Sequence, residues 1–136
     1  MSRERAIAWA SAAAVAAAVI AGLALTGSPA TQRLARLDER RVDDLGRLAR
    51  AINAHWAQRH ELPGRLEDAV DGLNLRAAPV DPASGAPYDY RVMAADKFEL
   101  CASFSRPSTG TAAGDFWHHE AGRTCFVFDA PALPNR

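Results

Sequence analysis

The segment "FWHHEAGRTCF", Phe116 to Phe126, carries the most chemistry per residue in this chain. His118, His119, Glu120 and Cys125 offer three kinds of metal ligand. Two adjacent histidines can share one metal only from a loop, and no second cysteine pair or His-Glu-x-x-His spacing accompanies them. A Cys–His nucleophilic pair would need a free thiol activated by the imidazole and an oxyanion hole, and neither is visible. The expected roles are therefore plain. Trp117 and Phe126 pack, Gly122 turns, and the histidines are surface or hydrogen-bonding residues.

The remaining candidates weaken on the same test. His55 and His60 lie near a helix C-terminus, where partial positive charge is favourable. Asp81, Asp89, Asp96, Asp115 and Asp129 do not form a loop of alternating oxygen ligands with the glycine that calcium loops require. Trp56, Tyr88, Tyr90, Phe98 and Phe104 read as core aromatics rather than a ligand cage. The expectation is no catalytic residue, no metal and no cofactor.

Sixteen basic and sixteen acidic residues balance to zero. Beyond the first apolar stretch the balance is 14 to 15, because Arg3, Arg5 and Glu4 precede it. Such a chain has no basic field for nucleic acid, which is excluded as a partner.

The elements that would position these residues begin with a basic leader, residues 1–5, and an uncharged run, "AIAWASAAAVAAAVIAGLAL", residues 6–25. As a helix, that run just crosses a hydrocarbon core of about 30 Å. It is read as a single-pass anchor in the inner (cytoplasmic) membrane. A cleaved signal peptide, with "SPA" at Ser28 to Ala30 as its cleavage site, is the rival. Counting Arg33, Arg36, Arg40 and Arg41 would put the following segment in the cytoplasm. The two cysteines argue for the opposite orientation, with the domain in the periplasm or outside the cell.

A juxtamembrane segment, 26–37, leads into an α+β domain at 38–130 and a tail at 131–136. Ser28 can cap a helix with Pro29 in its first turn; the alternative is one helix kinked at Gly27 and Pro29. Leu34, Leu37, Val42, Leu45, Leu48, Ala49, Ile52 and Trp56 recur at three- and four-residue steps, the stripe of an amphipathic helix. Arg40, Asp43, Asp44, Arg47, Arg50 and Arg59 take the other face. Packing on its own domain is favoured over a coiled-coil seam, which Gly46 would weaken.

Pro63 and Gly64 end that helix, and Leu66 to Val70 supply a short second one. "DGLNLRAAPVDP" reads as loop. Turn formers crowd Asp81, Pro82, Ser84, Gly85 and Pro87. Tyr88, Tyr90 and Val92 then alternate with polar residues, as do Phe98, Leu100, Ala102 and Phe104 after the tight "AADK" connection. This is a hairpin with one aromatic face. "RPSTGTAAG" reads as a mobile loop, and "TCFVFDA" as a third strand.

Cys101 and Cys125 each fall one residue out of phase with the aromatics of their own strand. Both should face away from the helix, where neighbouring strands would let them form a disulfide. The staple would close a loop of roughly 25 residues and add about 3 kcal/mol. Trp56, Tyr90, Phe98, Leu100 and Phe126 are the expected structural core.

Taken together, "LPGRLEDAV", "DPASGAPYDY", "FELCASF" and the final "CF" resemble the globular part of type IV pilins and type II secretion pseudopilins, over residues 38–128. "FELCA" and Trp117 to Phe126 also resemble segments of uncharacterised bacterial membrane-anchored proteins. The resemblance implies a long helix packed on a small antiparallel sheet. It also implies a non-catalytic structural role in a secretion or pilus-like envelope assembly, with the membrane and envelope proteins as partners. The chain lacks the prepilin Gly–Phe leader pair and the glutamate inside the apolar helix, so the resemblance implies the fold rather than filament assembly. The second expected reading is an anchored ligand- or metal-sensing module.

Overall fold

The computed structural model describes residues 2–26, 28–70, 77–109 and 115–130. The expected loop over Asp71–Arg76, part of the "RPSTGTAAG" loop, and the tail at 131–136 lie outside the described residues. The chain forms two compact units, residues 1–33 and 34–136.

In the first unit, helix α1 spans Arg3–Thr26. It is apolar all round rather than striped, and its large side chains, Ile7, Trp9, Val15, Val19, Ile20 and Leu23, are exposed. A helix of this kind needs an apolar surrounding that the chain itself does not supply. Its one polar side chain between residues 6 and 25, Ser11, bonds back to the carbonyls of Ile7 at 2.9 Å and Ala8 at 3.1 Å. That leaves no hydroxyl unsatisfied in an apolar medium. Among the described residues this is the one helix long and apolar enough to cross a membrane.

Helix α2 spans Pro29–Arg59. Ser28 is its cap: the Ser28 Oγ accepts from the Thr31 N–H at 3.2 Å, and Pro29 takes the first helical position. At the other end His60 adopts a left-handed φ of 56°, which stops the helix.

The second unit holds most of α2, the short helix α3, Leu66–Val70, and three strands. Strands β1 (Asp89–Ala94), β2 (Lys97–Phe104) and β3 (Gly122–Asp129) form an antiparallel sheet in the order β1-β2-β3. The expected hairpin is present. Ala95 and Asp96 make its turn, and a register shift between Val92 and Ala94 bulges the strand at Met93. The fold class is thus α+β, as the alternation of the residues implied.

One core joins α2 to the sheet. Leu45, Leu48, Ala49 and Ile52 share a buried cluster with Leu66, Tyr88, Phe98, Leu100, Ala102, Phe104, Phe126 and Phe128. Phe98 stacks on Phe128 with centroids 5.1 Å apart. Phe98, Leu100 and Phe126 are buried as expected, and Tyr90 packs half-buried against the cluster.

Trp56 corrects the expected core. It is half-buried, lies outside the cluster, and sets its edge against His60 at 5.6 Å. Leu34, at the opposite end of the stripe, is exposed. Eight strand residues at about 3.3 Å each reach only about 26 Å, whereas a 31-residue helix runs about 46 Å. The stripe therefore outruns the sheet at both ends.

Candidate functional site

Three features of the second unit could carry function: a buried ion cluster, the cystine face of the sheet, and a cleft beside α2.

The ion cluster centres on Arg41, which is 6% exposed. Its Nε donates to Asp81 Oδ2 at 2.6 Å and its Nη2 to Asp81 Oδ1 at 3.3 Å, a two-pronged contact. Its Nη1 donates to Asp38 Oδ1 at 2.7 Å and to Ser105 Oγ at 3.0 Å. Asp38 is itself buried and also accepts the backbone N–H groups of Ser105 at 2.9 Å and Arg106 at 3.0 Å. Asp81 Oδ1 accepts the N–H groups of Ala83 at 3.0 Å and Ser84 at 2.9 Å.

These contacts tie α2, the end of β2 and the turn before β1 to one guanidinium. The hydrogen bond from Arg41, above all, holds the Asp81 carboxyl well below the usual carboxylate range, with the Ser84 and Ala83 amides adding to it. In the same turn the Gly85 N–H donates to the Asp81 carbonyl at 2.8 Å, and Gly85 needs its left-handed φ of 70° to do so. The "DPASG" turn thus folds on its own aspartate, which then anchors the helix. Every charge here has a partner, so the cluster is structural rather than reactive.

A second polar contact runs from the Tyr88 hydroxyl to Asp44 Oδ2 at 3.1 Å. Burial, above all, pushes the Asp44 carboxyl up. Burial likewise pushes the Tyr90 phenol up to about 12, and its hydroxyl donates to the Pro63 carbonyl at 2.9 Å.

On the face of the sheet away from α2, Cys101 pairs directly with Cys125 in the β2–β3 register, and the two form a disulfide. The out-of-phase positions of both cysteines are what bring them together. Glu99 lies beside them, and these three are the one group of metal-ligand types gathered closely among the described residues. Both sulfurs are spent on each other, so the group is not a thiolate metal site.

The histidine segment divides. Trp117 packs on Phe126 with centroids 5.1 Å apart, and Gly122 turns with φ 105°, both as expected. His118 is half-exposed; its Nδ1 meets Ser108 Oγ at 3.0 Å, and its Nε2 lies 3.8 Å from Glu120. Serine, histidine and glutamate come together here, but Glu120 is 79% exposed and beyond hydrogen-bond reach. The acid therefore does not orient the imidazole as nucleophilic triads require.

His119 takes the hydrogen-bonding role rather than the surface one, its Nδ1 lying 3.3 Å from the Glu120 carbonyl oxygen. It is 5% exposed and stacked on Phe104 at 3.6 Å between centroids. Its backbone pairs with Ser108, whose N–H donates to the His119 carbonyl at 2.9 Å.

His119 and Trp117 wall a cleft of about 420 Å³ against the Asp38–Asp43 turn of α2, with Arg106 to Thr109 and Asp115 completing it. Sequence reasoning did not find this cleft, because its walls come from three separate stretches. His55 and His60 stand apart from it, near the end of α2. The five aspartates considered for calcium are also dispersed: Asp81 in the ion cluster, Asp89 paired with Arg123, Asp129 with Lys97, Asp96 in the hairpin turn and Asp115 at the cleft.

Comparison with known protein families, curated proteins and solved structures finds no match to this chain.

Proposed function

We propose that this chain is a single-pass inner-membrane protein whose 38–130 domain lies outside the cytoplasm and serves as a non-catalytic structural component. The reading places it in a secretion or pilus-like envelope assembly, with a pseudopilin-like domain. One combination carries it: an exposed, uniformly apolar helix precedes a domain closed by the Cys101–Cys125 disulfide. Disulfides persist in oxidising compartments, and α1 would be the tether that holds the domain at the membrane. The fully paired state of the buried charges also favours a structural role over a catalytic one.

The test is topological first. A C-terminal alkaline phosphatase fusion should be active, and the full chain should fractionate with membranes and co-purify with envelope proteins after cross-linking. Activity only from a cytoplasmic reporter would overturn the orientation, and membrane-fractionated protein without cross-linked partners would overturn the structural role. The cleft favours a second reading, an anchored ligand-sensing module. A ligand-dependent rise in melting temperature would mark it.

A further inference from the structure

We propose that β3 is a docking edge for a second copy of this chain, the two copies pairing antiparallel about Phe126 into one continuous sheet. This inference does not rest on the envelope reading. It starts from the backbone. The Cα atoms of Cys101 and Cys125 lie 4.0 Å apart, the close spacing of a pair that exchanges no backbone hydrogen bonds. Alternation along the ladder then makes Phe98–Phe128, Leu100–Phe126 and Ala102–Thr124 the hydrogen-bonded pairs. The N–H and C=O groups of Arg123, Cys125, Val127 and Asp129 therefore point away from β2. Among the described residues nothing bonds them. An open row of this kind accepts another strand unless something blunts it. The bulge at Met93 blunts β1, whereas β3 keeps an unbroken register over its 8 residues and contains no proline.

The edge is complementary to itself, which selects the second copy as its occupant. Antiparallel pairing about Phe126 sets Arg123 opposite the partner's Asp129 at both ends of the seam, and Cys125 opposite the partner's Val127. All four are outward-bonding positions, so every open N–H meets an open C=O. The neighbouring registers are poorer. A centre at Cys125 sets Arg123 against Val127 and carries Asp129 past the start of β3; a centre at Val127 sets Asp129 against Cys125 and carries Arg123 past its end. Arg123 and Asp129 are 52% and 51% exposed, and their contacts to Asp89 and Lys97 are surface pairs, which hold them only weakly. Val127, an exposed apolar residue near the middle of the edge, gains cover from the partner's cystine. Because both copies spend the same edge, the bulged β1 strands are left outermost and the assembly closes at two.

The experiment uses the full chain in density-matched detergent micelles. Its mass is followed by sedimentation equilibrium over a concentration series, with hydrogen exchange of the β3 amides measured in parallel. Two chains per particle are expected, with the Cys125 and Val127 amides protected as the dimer forms. Arg123→Asp and Asp129→Arg, each alone, turn both opposed pairs repulsive and should weaken dimerisation by about tenfold or more. Mixed in equal amounts, the two variants should pair with each other about as tightly as the wild-type chain, because each supplies the charge that the other lacks.

Recovery on mixing cannot come from mended folding, because each variant still lacks its own contact to Asp89 or Lys97. Val127→Pro tests the backbone separately. It deletes an N–H that points away from β2, where an edge strand accepts proline, and should abolish pairing while the β2–β3 ladder stays. Should a charge variant fail to fold, Val127→Pro decides. Single chains at every concentration up to about 1 mM, the weak end of the affinity scale, would overturn the proposal. So would a dimer that keeps its affinity in Val127→Pro, or folded charge variants that do not recover on mixing.

Discussion

Replacing Arg41 with alanine is the sharpest test of how the domain is held together. The substitution deletes four hydrogen bonds to three side chains and leaves Asp38 and Asp81 facing each other's space without a cation. Removing one partner of a buried ion pair costs about 3–5 kcal/mol, because the remaining charge stays desolvated. A domain of this size has about 5–15 kcal/mol in total, so the loss is a large share of it. It corresponds to a melting midpoint lower by at least about 12 °C.

The dependence on pH separates charge from packing. Asp81 is held well below the usual range by Arg41. A carboxyl depressed on folding contributes its stability above the unfolded pKa of about 3.9, and that contribution is lost as pH falls through the folded value. Wild-type protein should therefore lose this stabilisation in acid, whereas the Arg41→Ala variant has already lost most of it. Urea unfolding of the full chain in micelles, followed by near-UV circular dichroism between about pH 7 and pH 2.5, should show the gap between the two narrowing toward acid. A loss below about 1 kcal/mol at neutral pH, or a gap that does not change with pH, would refute the reasoning and reduce the cluster to an ordinary surface pair.

Three further outcomes follow from the same packing. Reduction, or the paired Cys101→Ser and Cys125→Ser change, should lower stability by about 2–5 kcal/mol, and mass spectrometry of the unreduced digest should show the Cys101–Cys125 peptide. Phe98→Ala should cost about 3–5 kcal/mol, as expected for a fully buried ring, whereas Trp56→Ala should cost under about 1.5 kcal/mol because part of its ring already meets water; equal losses in urea unfolding would contradict the placement of Trp56. Gly46→Ala should stabilise by about 0.5–1 kcal/mol, because the new methyl would meet Arg50 at 3.6 Å and Trp117 at 3.8 Å, ordinary contact, while a helical glycine is replaced by the best helix former; a fall in melting temperature would mean that the α2–Trp117 contact is tighter than drawn.

The strands and the disulfide were legible because both depend on local alternation. Tyr88–Val92 and Phe98–Phe104 announce their faces two residues at a time, and cysteine parity follows from the same count. The ion cluster was not legible. Arg41 falls at a stripe position, four residues before Leu45, but its chemistry assigns it to the outer face. Only the arrival of Asp81, 40 residues later, makes an inward guanidinium tolerable. Asp81 itself reads as a turn former, which it is, and nothing local shows that its other oxygen is spoken for. Trp56 fails for the opposite reason: its type signals burial, but the sheet ends before reaching it. His119 is hidden because the wall it joins is assembled from α2 and two loop segments.

Among the described residues the three-stranded sheet carries one helix layer, and β1 and β3 are its edge strands. Each outer element must then be fixed to something central. The disulfide joins β3 to β2 at directly opposed residues, so the register cannot slip by one residue and turn Phe126 and Phe128 outward. Arg41 fixes α2 and, through Asp81, the turn that launches β1. The same cluster shapes the cleft. Asp38 holds the amides of Ser105 and Arg106, and two residues later Ser108 pairs with the backbone of His119. The chain that walls the cleft is thus pinned at one end by the ion cluster and at the other by its pairing with the His119 backbone. Loosening Arg41 should therefore disturb the cleft before it unfolds the sheet, since β2 and β3 keep their covalent link while the 105–108 segment loses the guanidinium that bonds the Ser105 hydroxyl and holds Asp38 in place.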